Sequence, residues 1–334
     1  MKILHITGHL GGGVGTVILA WMEKIDPHGI EIICLDGNNK KRLDKLSSMG
    51  ILAGDVHPHN IAIMVEINDA DIVIFHWWDH PTLATLISLQ LPPCRLVFWC
   101  HKNYNIPDAV KKYPDLLVGT SPIQGLPQYV WSTGNMDRFF ELQPVEHEGF
   151  NVGYVGTVDY KKICKNFVSM SYKIGIELQD CFFTIIGEGN VNGIFKSCYP
   201  DNPRFSTVGK VDDVVPYLQS MDVFSYPLRP DHYGTCEQVI GEAMAAGLPV
   251  VAMDNPCERT IIQEGVTGYL CNSEEEYIDN IIHLYHKPNL RKWMGQNARE
   301  AAMEKYNINN MVKQWDYIFE LMMNEPKKER EAVK

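Results

Sequence analysis

The sequence predicts an α/β protein built from two Rossmann-like domains, each a parallel sheet with helices on its faces. Three observations predict it. Short apolar strands alternate with helical stretches, the pattern of a parallel sheet. The alternation breaks near 141–150, where ELQPVEHEGF is polar and carries a proline, and then restarts. A chain of 334 residues also exceeds what one core fills comfortably. The expected domains are 1–145 and 150–305, with 141–150 as the linker.

Residues 2–7 (KILHIT) read as the first strand, followed by GHLGGGVGT (8–16) and a helix to about Lys24. A glycine-rich loop between strand and helix can cradle phosphate on backbone N–H groups. Three readings stay open: a loose dinucleotide fingerprint with Asp36 as the ribose acid, a tight turn, or a loop touching a sugar phosphate and a second substrate. Residues 30–35 form the second strand. A helix carrying Lys40, Lys41, Arg42 and Lys45 follows. It reads as a solvated face, or as a docking patch for an anionic acceptor or a membrane surface. Strand 71–75 ends in His76-Trp77-Trp78-Asp79-His80, and strand 96–100 in His101-Lys102-Asn103. Open α/β sheets bind ligands at the carboxyl ends of their strands. A buried histidine is often a core residue, but His76 and His101 share one edge. Residues 116–120 form the last strand of this half.

The second half repeats the pattern. Strand 152–155 leads into Gly156-Thr157-Val158-Asp159-Tyr160-Lys161-Lys162, strand 182–186 into GEGN (187–190), and strand 205–208 into GKVDDVVPYLQ. The pair Asp212-Asp213 reads as a helix cap, with a metal site as the weaker alternative. Strand 223–226 ends at Pro227. Then comes DHYGTCEQVIGEAMAAGLPVVA (231–252): a loop, a helix over 236–246, Gly247 at the left-handed C-terminal position, and a strand opened by Pro249. Residues 268–270 form a sixth strand, helices fill 274–286, 289–305 and 309–323, and the charged tail NEPKKEREAVK is expected to fray.

Composition excludes several classes. The net charge of −11 disfavours a nucleic-acid partner. No stretch approaches the ~20 apolar residues of a membrane span, and MKILHITG is not a secretory signal. Nine cysteines, scattered and odd in number, read as reduced thiols of a cytoplasmic protein.

Glu242 is the anomaly, a carboxylate among Val239, Ile240, Ala243 and Met244. Buried acids need partners. Two acceptor oxygens suit the vicinal hydroxyls of a ribose. Around it, Gly234-Thr235 feeds a helix N-terminus, Lys161 and Lys162 follow a strand–glycine turn, and Gly12 and Gly13 can close the opposite side of a cleft.

The run GEAMAAGLPVVA resembles the signature of retaining GT-B glycosyltransferases of family 4. VGYVGTVDYKK, FFTIIGEGN, GKVDDVVPYLQSMDVFSYPL and GVTGYL are similar to successive segments of that family's donor half. DIVIFHWW, the His101 strand end and YNINNMVKQWDYIFELM resemble its acceptor half and returning helix. The resemblance implies GT-B architecture: two Rossmann-like domains facing each other across a cleft, the helix at about 309–323 packing back on the first. It implies a nucleotide diphosphate-sugar donor, a glycan, lipid-linked or small-molecule acceptor, retention of configuration, and no metal or other cofactor.

Position by position, the family's second motif acid falls on Glu242 and binds ribose. Its first acid falls on Gly234, with Glu237 three residues later as a substitute from a shifted loop. The diphosphate arginine falls on Thr157, its lysine on Lys161 or Lys162, and the sugar-orienting histidine on His101. His101 and Glu237 are thus the expected catalytic pair. Gly156, Gly187, Lys210, Val211, Thr235, Cys236 and Gln238 complete the donor site, and Gly12 and Gly13 the acceptor or phosphate loop. Catalysis would rest on positioning and on stabilising the leaving diphosphate. The rivals are a nucleotide-sugar binder without transfer activity, a GT-B nucleotide-sugar epimerase and a dehydrogenase.

Overall fold

A computed structural model of the chain describes residues 1–37, 39–102, 106–196 and 202–333. Asn103 and Lys334, placed above at a strand end and in the tail, lie outside the described residues. The chain divides into two compact units, Met1–Asn135 with Asn307–Lys334, and Met136–Tyr306. The chain therefore changes unit at 135/136. The polar stretch 141–150 lies inside the second unit, where Val145 N–H donates to the Gln219 carbonyl at 3.0 Å.

The first unit runs β1 (Ile3–Thr7), α1 (Gly12–Met22), β2 (Ile30–Cys34), α2 (Lys40–Ser48), β3 (Leu52–Asp55), α3 (Ile61–Asp69), β4 (Ile72–Trp77), α4 (Pro81–Ile87), β5 (Leu96–Cys100), α5 (Asp108–Lys111), β6 (Leu116–Gly119) and β7 (Gln128–Tyr129). Its sheet is parallel, in the order β3-β2-β1-β4-β5-β6-β7. The strands are apolar on both faces because both faces are covered. Leu4, Ile6, Val73, Phe75 and Phe98 pack on one side with Ile63, Ile67 and Leu83. Ile3, Ile72, Ile74, Val97 and Trp99 pack on the other with Trp21 of α1. The alternation follows from the two-residue period of a strand.

The second unit runs α6 (Asp137–Phe140), β8 (Phe150–Val155), α7 (Phe167–Glu177), β9 (Cys181–Ile186), β10 (Phe205–Gly209), α8 (Val215–Leu218), β11 (Val223–Tyr226), α9 (Gln238–Ala245), β12 (Val250–Met253), α10 (Pro256–Arg259), β13 (Gly268–Cys271), α11 (Glu274–His286) and α12 (Pro288–Lys305). Its parallel sheet has the order β10-β9-β8-β11-β12-β13, so strand order reverses between β8 and β11. A last helix, α13 (Ile308–Met323), returns to the first unit. Its Trp315 stacks on Trp21 at 4.9 Å between ring centroids and meets Trp99 edge-on at 5.0 Å.

The tail is not frayed. Arg330 forms a buried ion pair with Asp115 and donates to the carbonyls of Tyr113 at 2.8 Å and Cys94 at 2.9 Å. Lys328 pairs with Cys94 as a β-bridge, and Val333 N–H reaches the Ile87 carbonyl at 3.0 Å. Charge composition predicted solvent, but these cations find a buried acid and the carbonyls of loops that lead into β5 and β6.

The expected helix over 236–246 begins two residues late. Glu237 sits before α9 with φ 25° and ψ 69°, a conformation that interrupts the helix. Gly247, at φ 85°, ends it in the left-handed region as the sequence predicts.

Candidate functional site

The carboxyl edge of the second sheet is built from glycine. A Cβ at Gly187 would fall 1.7 Å from the Gly156 carbonyl oxygen, so only glycine lets the loops after β8 and β9 touch. Gly156 N–H donates to Ile186 at 2.9 Å, and Gly187 N–H to Gly209 at 2.8 Å. Tyr154, buried in β8, donates its hydroxyl to the Thr157 carbonyl at 2.8 Å and so fixes that turn.

The charged centre of this edge lies at the switch point between β8 and β11. Lys162 Nζ is 3.1 Å from Glu237 Oε2; Glu237 is buried and Lys162 largely so. Tyr226, the last residue of β11, donates its hydroxyl to the same carboxylate oxygen. Burial pushes the Glu237 carboxyl up, but Lys162, His232 and the Tyr226 hydrogen bond outweigh it and hold it below the ordinary value. Burial pulls Lys162 down, and Glu237 more than restores it. Both groups stay ionised. His232 Nδ1 accepts from Gly234 N–H at 3.0 Å, while Nε2 lies 3.2 Å from the carboxylate of fully buried Glu258.

Gly234 explains the geometry. A Cβ there would lie 1.7 Å from Glu237 Oε1. The carboxylate of Glu237 thus occupies the volume that a side chain at 234 would take. Among the described residues, Glu237 carries one of two positive-φ conformations at non-glycine positions, the other being Asp79 of the first unit. Such strain persists where surroundings enforce it, and it concentrates at functional sites.

The other expected residues distribute unevenly. Lys161 is exposed, so of the two candidate lysines it is Lys162 that meets Glu237. Lys210 pairs with Glu188 at 3.0 Å on the exposed rim, beside Val211. Thr235 and Cys236 are buried in the loop before α9, and the Cys236 carbonyl accepts from the Tyr306 hydroxyl at 3.1 Å. Gln238 opens α9. Glu242 is half-buried on α9, outside the Lys162–Glu237 cluster. Burial raises its carboxyl to about 7 against a weaker opposing pull from Arg138. Asp213 accepts from Val215 N–H at 3.2 Å and pairs with Arg138 at 3.1 Å, one residue ahead of Val214, which holds the cap position of α8 without a side-chain bond.

In the first unit, Gly12 has φ 56° with open space where a side chain would stand, and Gly13 follows it in α1. The loop is held from beneath by Arg42, which donates to the Leu10 carbonyl and to Gly12 at 3.2 Å, while Lys45 pairs with Glu23. Arg42 and Lys45 therefore serve the unit's own structure, which removes half of the expected docking patch. Asp36, the candidate ribose acid, lies 3.6 Å from His80 Nε2. His9, Trp78, His80 and His101 cluster at this edge, with centroids of Trp78 and His101 6.3 Å apart.

Sequence reasoning missed Tyr226, His232, Glu258 and His5. The available signal was a motif position lost at Gly234 with an acid gained at 237. For His5 it was a histidine at an inward position of an otherwise apolar strand.

Comparison with known proteins agrees with this architecture. Residues 149–287 match the family described as glycosyl transferases group 1. The chain is 30% identical over 118 residues to N-acetyl-alpha-D-glucosaminyl L-malate synthase of Bacillus anthracis, a match covering 35% of this chain and 30% of that relative. Here the chain spans about a third of the relative's length. It is 33% identical to the putative glycosyltransferase EpsD of Bacillus subtilis, over 86% of this chain and 88% of that one. The structure of Anabaena Alr3699/HepE in complex with UDP superposes with a TM-score of 0.76 at 13% identity, over 96% of this chain and 100% of that one. That likeness shows the GT-B fold. Since the identity to EpsD runs through nearly the whole of both chains, the protein belongs to the group 1 glycosyltransferases.

Proposed function

We propose that the chain transfers a sugar from a nucleotide diphosphate-sugar, with UDP as the nucleotide, to a hydroxyl of a glycan, lipid-linked or small-molecule acceptor. The anomeric configuration is retained, no metal is needed, and the reaction belongs to the cytoplasm. One observation carries the reading. At the switch point of the second sheet, a strained, buried glutamate fills the space of the motif's first position and is held there by Lys162.

In this reading Glu237 contacts the donor sugar, Glu242 takes the ribose hydroxyls, and the glycine loops at Gly156 and Gly187 lie along the diphosphate. Backbone N–H groups at 235–238 stabilise the leaving charge, and its oxygen removes the acceptor proton. His101 orients a sugar hydroxyl. The test is incubation with a panel of nucleotide sugars, with and without a chelator, reading hydrolysis or transfer and the anomer of the product. Inversion of the anomer, or loss of activity on chelation, would overturn the corresponding part. Glu242→Ala is expected to weaken UDP binding by about 1–3 kcal/mol.

A second reading, a nucleotide-sugar binder without transfer, draws on Lys162. Its charge is compensated by Glu237, which leaves less for a diphosphate. UDP binding with no turnover of any donor would select it.

A further inference from the structure

Three histidines on neighbouring strands of the first unit form a staircase. His5 lies in β1, His76 in β4, and His101 follows β5. His76 sits opposite Thr7 and Trp99 in the register, so each step climbs two residues toward the carboxyl edge. The rings are linked in series: His5 Nδ1 to His76 Nε2 at 3.0 Å, and His76 Nδ1 to His101 Nε2 at 3.1 Å. Both ring pairs stack with centroids 5.3 Å apart. His5 and His76 are fully buried.

A neutral imidazole has one donor nitrogen and one acceptor nitrogen. Two such bonds in series therefore share one polarity: all three rings carry the proton on Nδ1, or all three carry it on Nε2. The inner end decides. His5 Nε2 is buried with no hydrogen-bond partner among the described residues, and its ring lies edge-on to Trp21 at 5.1 Å. An Nε2–H chain would bury a donor with nothing to receive it. An Nδ1–H chain leaves only a lone pair there, the less costly orphan.

We propose that His5 and His76 are positioning residues that hold His101 as the Nδ1–H tautomer, a neutral donor to a substrate oxygen. Burial agrees with neutrality: it lowers His5 and His101 to about 3, and together with the flanking rings it lowers His76 well below the ordinary value. Such a donor recognises a hydroxyl or ring oxygen without adding charge. The catalytic consequence rests on the transferase reading, whereas the tautomer does not.

The test is long-range ¹H–¹⁵N correlation of the protein with labelled histidine at neutral pH. Protonated Nδ1 and bare Nε2 are expected in all three rings. Nε2–H at His101 in the unaltered protein would overturn the proposal. The first measurement needs no variant, so misfolding cannot mask it. In transfer assays His76→Phe should lower kcat by about 10- to 100-fold, by analogy with loss of the group that orients a metal-bound histidine, with KM for the donor unchanged. The expected tautomer without any transfer activity would refute the transferase reading and leave the staircase standing.

Discussion

Gly234→Ala would place a methyl carbon 1.7 Å from Glu237 Oε1 and 2.9 Å from His232 Nδ1. No atom pair tolerates the first distance, so the carboxylate must move. It is bound on the other side by Lys162 at 3.1 Å and by the Tyr226 hydroxyl. Movement breaks a buried ion pair and strands the lysine, a loss of about 3–5 kcal/mol. The added methyl offsets little, since its burial is worth at most about 0.8 kcal/mol. Chemical denaturation should therefore show Gly234→Ala destabilised by several kcal/mol. In a double-mutant cycle with Glu237→Ala, which empties the contested volume, the two losses should be far from additive. Donor turnover should fall in Gly234→Ala together with stability. A Gly234→Ala protein within about 0.5 kcal/mol of the parent, or strict additivity in the cycle, would refute the claim that Glu237 fills the place of residue 234.

Other outcomes follow from the same structure. Trp315→Ala, which removes a ring stacked against Trp21 and Trp99, should cost about 3–5 kcal/mol by thermal or denaturant melting, and a loss under 1 kcal/mol would count against α13 as a core element. Arg330→Ala leaves Asp115 with Lys328 at 3.2 Å as its remaining cation and should destabilise by about 1.5–3 kcal/mol, measured the same way. The Glu242 carboxyl is raised from 4.5 to about 7, so the folded state keeps its proton where the unfolded chain has lost it. Its contribution to stability is present below about 4.5 and is lost as pH rises through about 7. If the ionised acid holds ribose, UDP affinity by calorimetry should rise between about pH 6 and 8 in the parent and stay flat in Glu242→Gln; a flat parent profile would sink the ribose role.

Most strands were legible because their apolar runs are bounded by glycine, proline or polar clusters. β3 and β7 were not: LAGD is a short edge segment whose Leu52 is exposed, and β7 is a two-residue edge strand beyond 116–120, the stretch expected to be last. Helix α9 and its glycine stop were legible; its late start was not, because Glu237 leaves helical geometry to meet Lys162, 75 residues away. The sequence pointed to His101 and His76 through strand ends. It could not show that they share hydrogen bonds with His5, since that depends on which strands neighbour β1. The tail misled for a related reason: composition reports charge and says nothing of a buried aspartate waiting at 115.

The closing helix of the first unit has a consequence for biosynthesis. Its tryptophan reaches the ribosome exit only after every strand of the second unit has been translated. The second sheet can close on the nascent chain while the first still shows an uncovered indole surface around Trp21 and Trp99. The half made first is finished last, and in that interval the growing polypeptide is most exposed to chaperones and to aggregation.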